Sequence, residues 1–410
     1  MKKFFLLLLT TAALAMGQTV TGSSGDYRVV LDKRFTASPG GTLTVDNMNG
    51  DITVQGGGDQ VIIHAELHVE VLTQEELDRI VKAEKEAFQQ QAGGIVITAG
   101  ATHSNVVRHL TVTLPEKFNL QLKAGRGDIQ VEGVSGQIQL HSAGGDVGLK
   151  ETGGTVEVNT AGGDLDFDGV HGSLRASTAG GDVDLKNIFS ESVISTAGGD
   201  IDLLNAKNKI ELSTAGGDLL LQKITGSLKA LTMGGDITLT DVQGESVQLS
   251  TMGGDIDVED CRSALQISTR GGDIEANRLF AEANISTMGG EIQVADLQAA
   301  ATATSMGGDI SIEMTLEDFS KPHALHAETT GGDIKVILPS RLPARILAEV
   351  RLSRRSGSRN DIYSDFPLTK SSQDETGRKI IRSTGEINGG GDVIELKADG
   401  GDVYIQKAGS

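Results

Sequence analysis

A Gly-Asp step, once replaced by Gly-Glu, returns with an 18-residue period through the middle of this chain, and that period decides what the chain can fold into. The acid stands at Asp128, Asp146, Asp164, Asp182, Asp200, Asp218, Asp236, Asp255, Asp273, Glu291 and Asp309, with one 19-residue step between Asp236 and Asp255. The surrounding phrase is Ser-Thr-Ala-Gly-Gly-Asp or Ser-Thr-Met-Gly-Gly-Asp, as at Ser195 to Asp200 and Ser250 to Asp255. Repeats this short cannot bury an apolar face alone, so neighbouring repeats must stack.

The residue after each acid is aliphatic, from Ile129, Val147 and Leu165 through to Ile310. Two further on it is apolar again, as at Val131, Leu149, Phe167 and Leu185. Alternation at period two predicts a short strand with one buried face. A second alternating segment follows in each repeat, for example Ile210 and Leu212 or Leu265 and Ile267, and one apolar residue bridges the two, as at Val170, Ile188, Val242 and Cys261. The expected fold is all-β: a parallel β-solenoid, or β-helix, of about eleven 18-residue coils. At the strand spacing it would run roughly 50 Å. Each coil would add about five inward side chains, at about 1.5–3 kcal/mol each before entropy is subtracted. The Gly-Gly pair is expected at a corner, where positive φ and close stacking exclude a Cβ. A left-handed hexapeptide helix has a coil of the same length, but repeats an aliphatic at every sixth position, which this sequence does not.

Composition agrees with a thin core. Glycine numbers 54 and proline only 6, hydrophobics reach 38%, aromatics are 3%, and tryptophan is absent. Disordered Gly-rich chains lack that hydrophobic share. The net charge of -20 disfavours nucleic acid and anionic membranes and favours cations or basic partners. With one cysteine, Cys261, no intramolecular disulfide can form, and its bridging position predicts an inert buried thiol. Lys2 and Lys3, an apolar run from Phe4 to about Ala15, and the small residues Ala13, Ala15 and Gly17 read as a signal peptide over residues 1–17. The rival is an uncleaved anchor, although the run is short for a span of about 20 residues. The expectation is therefore a secreted protein, extracellular, at the cell surface or periplasmic, with no transmembrane segment after cleavage.

Residues 18–117 read as an N-terminal β-rich cap with one helix, 118–336 as the solenoid repeats, and 337–410 as a C-terminal cap with an Arg-rich insertion and final strands. In the first part, strands are predicted at 42–45, 52–55, 61–71, 95–99 and 106–114. A helix is predicted from Glu75 to Gln91, with Thr73 and Glu76 as a capping box, Leu77, Ile80, Val81 and Phe88 as its apolar stripe, and Gly93-Gly94 as its stop. Caps are needed because a bare terminal coil offers unpaired strand edges. Towards the other end the period breaks: after Asp309 the acid returns late, at Asp333, and then not until Asp392.

On these residues the chain resembles a bacterial adhesin-labelled family of unknown function, exported proteins built as β-strand-repeat solenoids. The resemblance rests on Asn47-Met48-Asn49-Gly50-Asp51-Ile52-Thr53-Val54, the serial Gly-Gly-Asp coils, Ile337-Leu338-Pro339 leading to Ser364-Asp365-Phe366-Pro367-Leu368, and Ile387-Asn388-Gly389-Gly390-Gly391. It covers about residue 40 to the end, and implies export and a solenoid. It carries over no catalytic residue.

Several groups are candidates for chemistry. The acids Asp164, Asp182, Asp200, Asp218, Asp236, Asp255 and Asp273 form a column in which neighbours repel by roughly 1 kcal/mol even in water. Either these carboxylates accept corner hydrogen bonds or they hold cations, with weak calcium binding as the one cofactor expectation. Asp166, Asp184, Asp202, Asp257 and Glu275 face the same side. A second column, Thr160 through Thr287, offers hydrogen bonds along the stack or a hydroxyl lattice for an ice-like or polymeric surface. Arg126-Gly127-Asp128 spells an integrin-type tripeptide but falls in the repeat register. His64, Glu66, His68 and Glu70 share one strand face, and His323 and His326 sit in an insertion; each is a metal candidate or a solvated face. Arg351, Arg354, Arg355 and Arg359 form a basic cluster for an anionic envelope polymer, an acidic neighbour, or solvent.

The function expected is a non-catalytic envelope or surface protein: an adhesin or binding scaffold for an unknown envelope or extracellular polymer or protein. The alternatives are a polysaccharide lyase or hydrolase and an envelope-stress regulatory protein. The enzymes need long-loop grooves, singled-out carboxylates and commonly aromatic platforms.

Overall fold

The computed structural model describes residues 17–38, 40–91, 93–98, 106–352, 360–375 and 378–409. The proposed leader therefore falls almost wholly outside the described residues. The chain divides into two compact units, residues 1–173 and 174–410. Both are built almost entirely of strands, and in both the strands stack in parallel as a β-solenoid.

In the first unit, Gly17–Ser23, Asp26–Phe35, Val61–Val69 and Val106–Thr113 pair successively antiparallel. Gly50–Gln55 then pairs in parallel with Val106–Thr113 on one side and Ile129–Glu132 on the other. On the companion face Thr42–Met48 lies between Gly94–Thr98 and Asn119–Ala124. Residues 42–55 thus form a full coil that precedes, in the stack, the one begun at Asn119. The stacked coils take in residues on the N-terminal side of 118, where the uniform spacing starts. The helix spans Gln74–Ala87, capped by the Thr73 hydroxyl, which accepts from the Glu76 N–H at 3.3 Å. It buries Leu77, Ile80, Val81, Glu84 and Ala87. It ends before the predicted Gln91, because Phe88–Gln91 leaves as a strand that pairs antiparallel with Gly94–Thr98. Gly93, at φ +104, turns that hairpin instead of stopping the helix. A buried ion pair between Glu84 and Arg108, each side chain 6% exposed, fastens the helix to the strand beneath it.

In the second unit each repeat lays down two strands, and both columns keep strict register. Ile201, Leu219, Ile237, Ile256, Ile274 and Ile292 stack in one column, and Ile210, Leu228, Val247, Leu265 and Ala283 in the other. These residues are nearly all fully buried, and the bridging Ile188, Ala206, Ile224, Val242, Cys261 and Leu279 close the core between them. The extra residue of the 19-residue step falls at Gly244-Glu245, since Thr225 pairs with Gln243 while Leu228 pairs with Val247. The 24-residue step from Asp309 to Asp333 places its insertion before Leu325–Thr329, at the same corner.

At the C-terminal end of this unit, spatial order departs from chain order. Asp392–Asp399 stacks on Leu325–Thr329, and Val403–Lys407 on Ile334–Leu338. Ala344–Leu352 and Ile362–Ser364 stack outside them. Asp402, not Asp392, therefore continues the acid column above Asp333. Arg378–Ile387 pairs antiparallel with Ala344–Leu352, and Thr369–Glu375 antiparallel with Arg378–Ile387.

Candidate functional site

The corner that carries the acid is built by three residue types. The second glycine is there for space: a Cβ on Gly217 would stand 2.0 Å from the Gly199 carbonyl oxygen, and one on Gly235 2.0 Å from that of Gly217. The first glycine meets only ordinary contacts, 3.6 Å at Gly216. Neither glycine has positive φ. The expected left-handed backbone occurs instead at the opposite corner, five residues after the acid, at Asn187, Asn205, Lys223, Asp241, Asp260, Arg278 and Asp296, with φ between 54° and 62°. Asn and Asp tolerate this region best, which accounts for most of that column.

The threonine two residues before the glycine pair is buried and ties two coils together. Thr214 Oγ1 accepts from the Gly217 N–H at 3.2 Å and donates to the Gly199 carbonyl at 2.9 Å. Thr196, Thr232, Thr251, Thr269 and Thr287 repeat the bond pair, and their exposures of 3–6% remove them from any outer lattice. The surface hydroxyl-lattice reading of this column is thereby corrected.

Along the column, aspartates accept from the backbone of the next coil. In the first unit Asp128 donates its N–H to Asp51, Asp146 to Asp128, and Asp164 to Asp146, at 2.8–3.1 Å. In the second, Asp200 donates to Asp182, Asp218 to Asp200, Asp236 to Asp218, Asp255 to Asp236 and Asp273 to Asp255, at 2.7–2.9 Å. The column resumes with Asp333 on Asp309, Asp402 on Asp333 and Asp361 on Asp402. The carboxylates from Asp128 to Asp309 remain exposed, while Asp333, Asp361 and Asp402 are half-buried. Among the described residues, no group of three or more His, Cys, Asp or Glu is arranged to hold a metal ion.

Beside the column, on the outward face of the same strands, stand Asp184, Asp202, Asp257 and Glu275. The register puts Asp184 next to Asp202 and Asp257 next to Glu275. Partial burial, then the charges of Asp184, Asp200 and Asp182, raise the pKa of Asp202. Burial, then Glu275, Asp255 and Asp236, raise that of Asp257. Among the described residues no Lys, Arg or His forms an ion pair with any of the four. Glu259, by contrast, is matched by Arg278, which also grips Asp260 through two bonds of 2.8 Å. A shallow groove of about 290 Å³ runs across this face, lined by Thr238, Thr240, Asp257, Glu259, Glu275 and Asn277 among others.

The other candidates are placed as follows. Asp128 of the Arg-Gly-Asp tripeptide is a rung of the acid column, and a Cβ on Gly127 would stand 2.1 Å from Gly50. His64 bridges Asp32 at 2.7 Å and Glu66 at 3.2 Å, contacts that raise its pKa, while Arg28 also holds Glu66. His68 faces Asp26 and Glu70. Buried His323 directs its two ring nitrogens at the carbonyls of Lys321 and Pro343, 2.8 and 3.0 Å away. His326 lies 2.9 Å from Glu395. Cys261 is 1% exposed, and burial raises its thiol pKa. Arg351 pairs with Glu349 at 2.7 Å, and Glu349 also binds Arg382. Arg354, Arg355 and Arg359 lie outside the described residues. The stacked, surface-facing pair Tyr363 and Tyr404 has no signature in the sequence, because the gap between Asp333 and Asp402 hides their shared register.

No helix among the described residues is long and apolar enough to cross a membrane. Searches among curated proteins and among solved structures return no match. Residues 41–223 and 194–406 each match the Toastrack DUF4097 family, together spanning most of the chain. The chain belongs to the Toastrack DUF4097 family, a repeat domain of unknown function.

Proposed function

We propose that this protein is an exported, non-catalytic binding scaffold of the cell surface or envelope, whose acidic solenoid face engages positively charged polymers or polypeptides. The observation that carries this reading is the outward pair of carboxylate clusters, Asp184 with Asp202 and Asp257 with Glu275, left without ion-pair partners among the described residues while the fold pays to keep them side by side. Neighbouring negative charges on one rigid face sum to a field that attracts cations over about a Debye length. The groove beside Asp257 and Glu275 gives a basic segment somewhere to lie. Adhesion through such a face needs no catalytic group, and the charged start and apolar run of residues 1–17 supply the route out of the cell.

The test is binding of the chain to immobilised poly-lysine over a salt series. Asp184→Asn, Asp202→Asn, Asp257→Asn and Glu275→Gln combined should weaken binding by about tenfold or more and flatten its salt dependence. Unchanged binding would sink the charged-face reading. Fractionation of cells expressing the full chain tests export: uncleaved protein confined to the cytosol would refute it.

A further inference from the structure

We propose that Met233, Met252, Met288 and Met306 form an oxidation site, a row of thioethers that takes one oxygen atom each from a peroxide while the coils beneath stay folded. All four stand between the buried hydroxyl residue and the glycine pair of their repeat, where earlier coils carry Ala161, Ala179, Ala197 and Ala215. The corners stack: the Gly253 N–H donates to the Met233 carbonyl at 3.1 Å, and the Gly271 N–H to that of Met252 at 3.2 Å. The four residues are 54%, 42%, 51% and 58% exposed. Exposed Arg270 takes the middle place in the row. The other sulfurs among the described residues lie inside: Met48 is 3% exposed, Met314 0% and Cys261 1%. Accessible sulfur is thus confined, among the described residues, to one ridge of the second unit.

The corner tolerates the change because its bonds do not run through these side chains. Coil is tied to coil by threonine hydroxyls, glycine amides and aspartate carboxylates, as at Thr232, Gly235 and Asp236. Oxidation breaks the O–O bond of the peroxide. A sulfur lone pair forms the new S–O bond, and the other oxygen leaves as hydroxide, which becomes water with the proton of the transferred oxygen. Sulfur loses two electrons and the peroxide gains them. The sulfoxide is polar: in a core it disrupts packing, whereas on an outward ridge it is hydrated, and reductases return it to the thioether. The acids three residues on, Asp236, Asp255, Glu291 and Asp309, repel anionic oxidants and leave neutral hydrogen peroxide as the better fit. A soft cation would also suit thioethers, but Arg270 sets a positive charge in the middle of the row. The ridge is not the acidic groove, so neither proposal depends on the other.

The full chain is treated with hydrogen peroxide, and each methionine is followed by peptide mass mapping. Met233, Met252, Met288 and Met306 should each gain one oxygen at least about tenfold faster than Met48 and Met314. The melting midpoint of the ridge-oxidised chain should match that of the untreated chain. With Met233→Leu, Met252→Leu, Met288→Leu and Met306→Leu combined, the folded chain should consume about four fewer equivalents of peroxide. A ridge that oxidises no faster than Met48 or Met314, or whose oxidation unfolds the coils, overturns the proposal. So do unreactive ridge thioethers, the result expected if a second copy of the chain covers the row. Mapping of the unaltered chain decides the matter alone if the leucine variant misfolds.

Discussion

Asp236 donates its backbone N–H to the Asp218 carboxylate at 2.8 Å, so the charge that repels its neighbours is also the acceptor that joins one coil to the next. An amide oxygen would accept the same bond without the repulsion. Asp218→Asn should therefore melt at or above the temperature of the unaltered protein, while Asp218→Ala should lose about 0.5–1.5 kcal/mol by leaving the Asp236 N–H without that acceptor. Urea unfolding of the two variants checks this.

The two glycines of one corner should answer differently to the same substitution. Gly217→Ala drives a methyl into the Gly199 carbonyl and should destabilise by about 1–3 kcal/mol or more. Gly216→Ala meets nothing closer than 3.6 Å and should be neutral, or stabilising by up to about 1 kcal/mol through the unfolded chain. Equal losses in thermal unfolding would contradict the spatial account.

Lys223 has φ 56° at the corner where most other coils place Asn or Asp. Lys223→Gly should remove about 1 kcal/mol of left-handed strain, offset in part by glycine's greater freedom when unfolded. A rise in the melting midpoint, or no change, is expected; a large fall would show that the lysine stem packs at the corner.

The raised pKa values of Asp202 and Asp257 fix the sign of a pH effect. The folded protein holds these protons more tightly than the unfolded chain does, so its advantage is full below the ordinary aspartate value of about 3.9 and is lost as pH rises through the raised values. Asp202→Asn and Asp257→Asn should each raise the melting temperature at pH 7, and the gain should vanish as pH falls towards about 3. Melting curves across that range provide the check.

What could be read from the residues divides by distance along the chain. The strand positions, buried columns and bridging site follow from alternation within a single repeat, and Cys261 takes its core place in line with Val242 and Leu279. The left-handed corner was also legible, in the fixed position of Asn187, Asn205, Asp241, Asp260 and Asp296, but the Gly-Gly pair, a stronger turn signal, points the positive φ to the wrong corner. The threonine column could not be assigned from spacing alone, since a strand end offers a hydroxyl either to solvent or to the next coil. The pairing of Asp402 with Asp333, and with it the Tyr363–Tyr404 stack, depends on segments distant in the chain whose order no local pattern records.

The tucked position of residues 392–407, between the strands Leu325–Thr329 and Ile334–Leu338 on one side and Ala344–Leu352 and Ile362–Ser364 on the other, makes this segment a keystone. Middle coils are interchangeable cassettes, each offering its successor the same edge, so copies can be gained or lost with modest effect. The closing segment has no substitute. Without it, Ile362–Ser364 loses its pairing with Val403–Lys407, and Ala344–Leu352 keeps only its antiparallel pairing with Arg378–Ile387.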